Sequence, residues 1–126
     1  MHYEYLAGEV IALGSGSAAH NSIKSNLVAG LRRSILNNRR YSPHIYQLVD
    51  GDTPVAVQEA DFYAYPDAMV SAAPTDRNSS YHTWQQPVLI AEVLSASTAA
   101  YDSTTKVANY QNISGLRHYL LISEAA

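Results

Sequence analysis

The stretch that most constrains this chain is Pro87-Val88-Leu89-Ile90-Ala91-Glu92-Val93-Leu94, an apolar run interrupted by one carboxylate. It is short, rich in branched residues and opened by a proline, which reads as a central strand buried on both faces. An ionised carboxylate taken out of water costs several kcal/mol unless it is paired, hydrogen-bonded or metal-bound. A chain that needed only a core strand would carry Val or Ile at position 92. Some partner is therefore expected to hold Glu92.

The flanking sequence supplies the rest of a small fold. Glu9 to Leu13 reads as a short strand, ended by Gly14-Ser15-Gly16-Ser17. That cluster supplies an N-cap for a helix from about Ala18 to Leu36, with Ile23, Leu27, Leu31 and Ile35 four apart on one face. Residues Ile45 to Val49 and Val55 to Gln58 read as two strands joined by the turn Asp50-Gly51-Asp52. Asp61 to Val70 reads as one more strand with Pro66 near its start. The polar stretch Pro74 to Gln86 is a loop carrying the single tryptophan, Trp84. Asp102-Ser103-Thr104 reads as a cap region for a helix through about Gln111, and a last strand is expected at His118 to Ile122. Two helices on one mixed sheet follow: an α/β or α+β fold.

At 126 residues the chain fits one domain, residues 1–126, with a modest core. Its 47% apolar and 15% charged residues suit a folded domain and exclude disorder. No segment approaches the roughly 20 apolar residues of a membrane span, and the N-terminus lacks the pattern of a signal peptide. With no cysteine, disulfides, thiolate metal sites and cysteine nucleophiles are all excluded, and a cytoplasmic setting without membrane partners is expected. Net charge is −3, yet five of the eight Lys and Arg lie between Lys24 and Arg40. Those cations either solvate a helix end or meet phosphate.

Asp67 and Glu92 each sit in an apolar strand, separated by a loop that could join neighbouring strands. Adjacent strands lie about 4.8 Å apart. Two carboxylates at that spacing can share one Mg²⁺, which takes one or two carboxylates and keeps several waters. Alternatively each pairs with an arginine or caps a loop. Lys106 lies on the helix after the Glu92 strand and could reach back to the strand end, to orient water or stabilise charge on a phosphate. No Gly-x-Ser-x-Gly elbow or Gly-Lys-Ser/Thr phosphate loop is present.

The string Tyr65-Pro66-Asp67, then Glu92-Val93-Leu94-Ser95-Ala96-Ser97-Thr98, then Tyr101-Asp102, Lys106 and Tyr110 resembles the putative restriction endonuclease family of the PD-(D/E)XK nuclease superfamily. Glu4, Gly8-Glu9, His20 and Asp52 match as well, so the resemblance covers nearly the whole chain. It implies a restriction-endonuclease-like core, with Asp67, Glu92 and the Val93 carbonyl holding Mg²⁺ or Mn²⁺. The superfamily's usual lysine position is occupied by Leu94, and the resemblance moves that role to Lys106. Glu9 is the matching auxiliary acid. The resemblance also implies a longer chain, with further β structure after the last strand. A metal-dependent endonuclease acting on DNA is thus the expectation, and cutting both strands of a duplex would favour a homodimer. A catalytically inactive nuclease-fold interaction module is the alternative.

Overall fold

The computed structural model describes residues 3–12, 17–38, 46–50, 54–57, 60–71, 84, 87–95 and 99–123. The elements in order are β1 (Tyr3–Leu6), β2 (Glu9–Ala12), α1 (Ala18–Asn38), β3 (Gln47–Asp50), β4 (Val55–Val57), β5 (Phe62–Ala64), β6 (Ala68–Ser71), β7 (Pro87–Leu94), α2 (Ala99–Ser103), α3 (Thr105–Tyr110) and β8 (His118–Ser123). The α+β class is as expected, but the single mixed sheet is not. The strands form two four-stranded sheets, ordered β2-β1-β5-β4 and β3-β6-β7-β8. The second is the mixed one, because β7 and β8 run parallel while its other pairs are antiparallel. A parallel pair needs a crossover, and α2 and α3 supply it.

The helix at 18–38 has its cap where the sequence put it. Ser17 Oγ accepts the His20 N–H at 3.0 Å, which satisfies one of the orphan donors of the first turn. β1 and β2 are joined by Ala7 and Gly8, both at positive φ (49° and 91°). That pair of left-handed residues is what a two-residue hairpin requires for its twist to match the strands. β1 itself, only four residues long with two tyrosines and a glutamate, was not anticipated.

Two further expectations need correction. The segments around the turn 50–52 do not pair with each other: β3 joins β6, whereas β4 joins β5 in the other sheet. The turn itself and most of the loop 74–86 lie outside the described residues. The expected strand 61–70 is two strands, because Tyr65-Pro66-Asp67 carries the chain from one sheet into the other. Pro66 has no N–H to give to a ladder, so a continuous strand through it would lose a rung. The expected cap region Asp102–Thr104 is already partly helical: the chain turns helical at Ala99, and the helix is divided at Thr104 into α2 and α3.

The core lies where the sheets and α3 meet. Val55, Val57, Phe62, Met69, Trp84, Ile90, Tyr110 and Ile113 form its buried cluster. Trp84 is anchored by backbone hydrogen bonds to Pro54 and Ala56 and packs into the core. Tyr110 meets Phe62 and Tyr119 edge-on, with ring centroids 5.4 and 5.3 Å apart. By contrast α1 has no fully buried residue. Its stripe of Ile23, Leu27, Leu31 and Ile35 is only half covered, so the helix rests on β3, β6 and β7 without sealing against them. No helix is long and apolar enough to cross a membrane among the described residues.

Candidate active site

The switch between sheets creates the site. Where the chain leaves β5 at Tyr65 and enters β6 at Ala68, the backbone N–H groups on either side of Pro66 have no ladder partner. Two carboxylates take them. Tyr65 N–H donates to Glu4 Oε2 at 2.8 Å, and Asp67 N–H donates to Glu92 Oε1 at 2.9 Å. Glu4 comes from β1 in one sheet and Glu92 from β7 in the other, so the corner is pinned from both sides. A buried N–H left without an acceptor would cost about 1–3 kcal/mol.

Asp67 returns the bond it receives. Its Oδ2 accepts the Val93 N–H at 2.7 Å. Continuing the antiparallel register Ala68↔Ala91 by one step sets Asp67 opposite Glu92. The structure therefore brings these two acids together, as the sequence suggested. Its other oxygen, Oδ1, lies 3.1 Å from His20 Nε2 on α1. His20 holds Asp67 from the helix side, at the partly open edge of the site, where both side chains keep under a fifth of their surface.

Behind Asp67 the site is dry and strongly charged. Lys106 on α3 reaches back to β7, as predicted, and its Nζ donates to Glu92 Oε2. The same ammonium lies 3.0 Å from Glu4 Oε2 and 3.5 Å from Asp102 Oδ1. All four side chains are buried. Tyr101 closes one flank: its hydroxyl donates to Glu4 Oε1 at 3.3 Å, and its ring centroid is 5.5 Å from the ammonium. Tyr119 donates to the Asp102 carbonyl at 2.9 Å. Three carboxylates thus surround one cation.

That imbalance sets the protonation. Burial pushes the Glu92 carboxyl up to about 8; Lys106 pulls it down, while Asp102 and Asp67 push it further up. Desolvation works against the Lys106 charge, but Glu92 and the other anions around it win and hold the ammonium well above its ordinary range. Burial and the neighbouring Glu4 also raise Tyr101. The Tyr110 hydroxyl, one helical turn beyond Lys106, is buried without a hydrogen-bond partner among the described residues.

Glu9 stands elsewhere. It is exposed at the start of β2, opposite Leu6, and the hairpin's contribution to the charged cluster is Glu4. Glu4 carried little signal of its own: in the four-residue strand Tyr3–Leu6 a carboxylate does not stand out as Glu92 does in its longer apolar run. Asp102 could have been found from its position four residues before Lys106 on a helical stretch. Asp52 lies outside the described residues.

Among the described residues no three His, Asp or Glu side chains form a ready-made cation cage. The donor chemistry nevertheless fits Mg²⁺ or Mn²⁺. Hard oxygen donors from Asp67 and Glu92 stand side by side, the cluster carries surplus negative charge, and such ions need only one or two carboxylates besides water and substrate phosphate.

The matching family model covers residues 1–125 and is described as Uma2, "Putative restriction endonuclease". The chain belongs to this family. Among curated proteins it is similar to two uncharacterized proteins of Synechocystis sp. (strain ATCC 27184 / PCC 6803 / Kazusa). One, sll1609, is 35% identical over 122 residues, 96% of this chain and 66% of that protein. The other, slr1290, is 32% identical over 124 residues, 98% of this chain and 62% of that protein. The chain thus spans just under two thirds of these relatives. A crystal structure from Anabaena variabilis ATCC 29413, described as a putative nuclease belonging to DUF820, superimposes with a TM-score of 0.73 at 18% identity. It covers 96% of this chain and 65% of that one. The fold expected for the family is therefore the fold observed.

Proposed function

We propose that the chain is a metal-dependent endonuclease that hydrolyses phosphodiester bonds in DNA. The observation that carries this reading is the reciprocal pairing of Asp67 with β7: its N–H on Glu92, its carboxylate on the Val93 N–H. The pairing fixes two hard-oxygen donors side by side at the end of a strand, with an ammonium on the far oxygen of Glu92. Asp67, Glu92 and the Val93 carbonyl would hold Mg²⁺ or Mn²⁺. When bound, such an ion supplies Lewis acidity and makes hydroxide available from its water near neutral pH.

The protein's own groups do the remainder. His20 orients Asp67 by holding Oδ1. Lys106 keeps Glu92 aimed, and its charge offsets the negative charge that grows on a phosphate during attack. Glu4 and Asp102 keep Lys106 charged and in place. Tyr101, over the ammonium, helps to exclude water. The test is cleavage of supercoiled plasmid with Mg²⁺ or Mn²⁺. Loss of cleavage in Asp67→Ala and Glu92→Ala is expected, and activity that survives both changes refutes the assignment.

A second reading has its own support. Lys106 already neutralises part of the charge on Glu92, Glu4 and Asp102, and the chain spans under two thirds of its curated relatives. An inactive interaction module with a structural ion cluster would look like this. Calorimetry separates the two, since only the endonuclease requires Mn²⁺ binding that depends on Asp67 and Glu92.

A further inference from the structure

α1 does not seal against the mixed sheet, and its C-terminal half leaves a cleft of about 620 Å³. That is within the range of sites for small organic ligands, roughly 300–1,000 Å³. Leu31, Ile35, Val70, Val88 and Leu89 give it apolar walls. Ser34, Asn38 and Tyr46 add neutral hydrogen-bonding groups, and Arg117 and His118 complete the lining. Among the described residues no carboxylate lines it. Arg32 and Arg33 stand exposed on α1 between lining residues Leu31 and Ser34. In a chain of net charge −3, this is where the cations of the described surface gather.

The cleft is separate from the acidic cluster. His20 touches Asp67, whereas the first lining residue of α1, Leu31, is eleven residues on, about 16 Å along the helix at 1.5 Å per residue. On β7, Leu89 and Glu92 point to opposite faces because side chains alternate; Val88 shares the face of Glu92 but stands four residues away, about 13 Å along the strand. The Arg117 backbone is fixed beside β7, its N–H donating to the Val88 carbonyl at 2.9 Å.

We infer that this cleft binds a nucleotide unit: phosphate at Arg117 and His118, base against the apolar wall and Tyr46, base edge toward Asn38 and Ser34. The three kinds of lining match the three parts of a nucleotide. Inorganic phosphate would leave the apolar walls wet. A fatty-acid anion would use Arg117 but offer nothing to the Asn38 amide. The inference does not depend on the endonuclease reading.

The test is calorimetric titration of the full chain with AMP in EDTA. Saturable one-to-one binding is expected. Arg117→Ala should weaken it about tenfold, the scale of one lost charge-assisted hydrogen bond. Ser34→Trp, a substitution at an exposed helix position that fills the cleft, should abolish it. Asp67→Asn should leave it unchanged, so failure of the catalytic reading does not decide this one. A 5′-phosphorylated tetranucleotide distinguishes the source: tighter binding than AMP assigns the cleft to a nucleotide within a strand, weaker binding to a free one. Three results would overturn the inference. These are no AMP binding, binding indifferent to both cleft variants, or equal binding of inorganic phosphate or decanoate.

Discussion

Replacing Lys106 by Met is the sharpest perturbation of the site. It keeps the length of the side chain and removes the only cation that contacts Glu4, Glu92 and Asp102 among the described residues. Breaking a buried ion pair from one side costs about 3–5 kcal/mol, because the remaining charge is left uncompensated. For a chain of this size each kcal/mol lowers Tm by roughly 3–5 °C, so a fall of roughly 9–25 °C is expected. The pH dependence discriminates further. The Glu92 carboxyl is held up at about 8 in the folded chain against an ordinary 4.5. The folded state therefore binds that proton more tightly than the unfolded state does. The resulting stabilisation is complete below about pH 4.5 and is lost as pH rises through about 8. Without Lys106 the pull that lowers this carboxyl is gone. The deficit of Lys106→Met against the parent should therefore be greater at about pH 9 than at about pH 5. Adding Glu92→Gln should recover part of it, so the two changes are less than additive. Urea denaturation of the parent, both single variants and the double variant at the two pH values measures all of this. A deficit below about 1 kcal/mol, or one that does not change with pH, would refute the account.

Four further outcomes follow from the same geometry. His20→Ala should reduce plasmid cleavage about 10–100-fold, the usual effect of losing a group that orients a ligand, with Tm little changed; unchanged cleavage removes His20 from the site. Mn²⁺ must displace the Glu92 proton, so its association constant should rise about tenfold per pH unit below pH 8, with one proton released. Calorimetry in two buffers of different ionisation enthalpy would show this, and a flat profile would exclude Glu92 as a protonated ligand. Tyr110→Phe removes a buried hydroxyl that has no hydrogen-bond partner among the described residues, so thermal melts should show an equal or higher Tm, and a clear loss would reveal a bond to that hydroxyl. Glu4→Ala should cost several kcal/mol while Glu9→Ala stays within about 0.5 kcal/mol; comparable losses in denaturant titrations would undo the placement of the auxiliary acid at Glu4.

How far the sequence could be read depended on the reach of each signal. Glu92 was legible because a carboxylate in an eight-residue apolar strand contradicts its surroundings. Its neighbour Asp67 and the reach of Lys106 followed from strand spacing and helix position, both local rules. The division into two sheets was not legible. Val55–Val57 and Gln47–Asp50 have ordinary strand composition, and nothing in either says which partner it takes; that choice is made by Phe62 and Met69 packing into a shared core. Pro66 carried the missing hint. A proline between two short apolar runs interrupts a ladder, and reading it as a tolerated strand start hid the corner it makes. Glu4 was missed for a related reason: four residues are too few to show alternation, so the strand that buries it went unseen.

The corner at Tyr65–Asp67 also explains why the charged cluster lies where it does. A chain that crosses between sheets exposes backbone donors at the crossing, and a proline there removes only one of them. Side-chain carboxylates are better acceptors for the other two than water, because the sheets on either side exclude water. Two acids drawn into one dry corner then need a cation, and Lys106 arrives on α3 in the crossover between β7 and β8. The acids are thus held by the fold's own need for hydrogen bonds, before any ligand is considered. A second cation bound at Asp67 and Glu92 would use carboxylates that are already positioned, so little ordering would remain for binding to supply. The same economy has a consequence for stability: changing any one acid should disturb both the corner and the ammonium. Loss of function at Glu4 or Glu92 is therefore interpretable only beside a melt, whereas Asp67, at the open edge and bonded to α1, is where chemistry and folding can be separated.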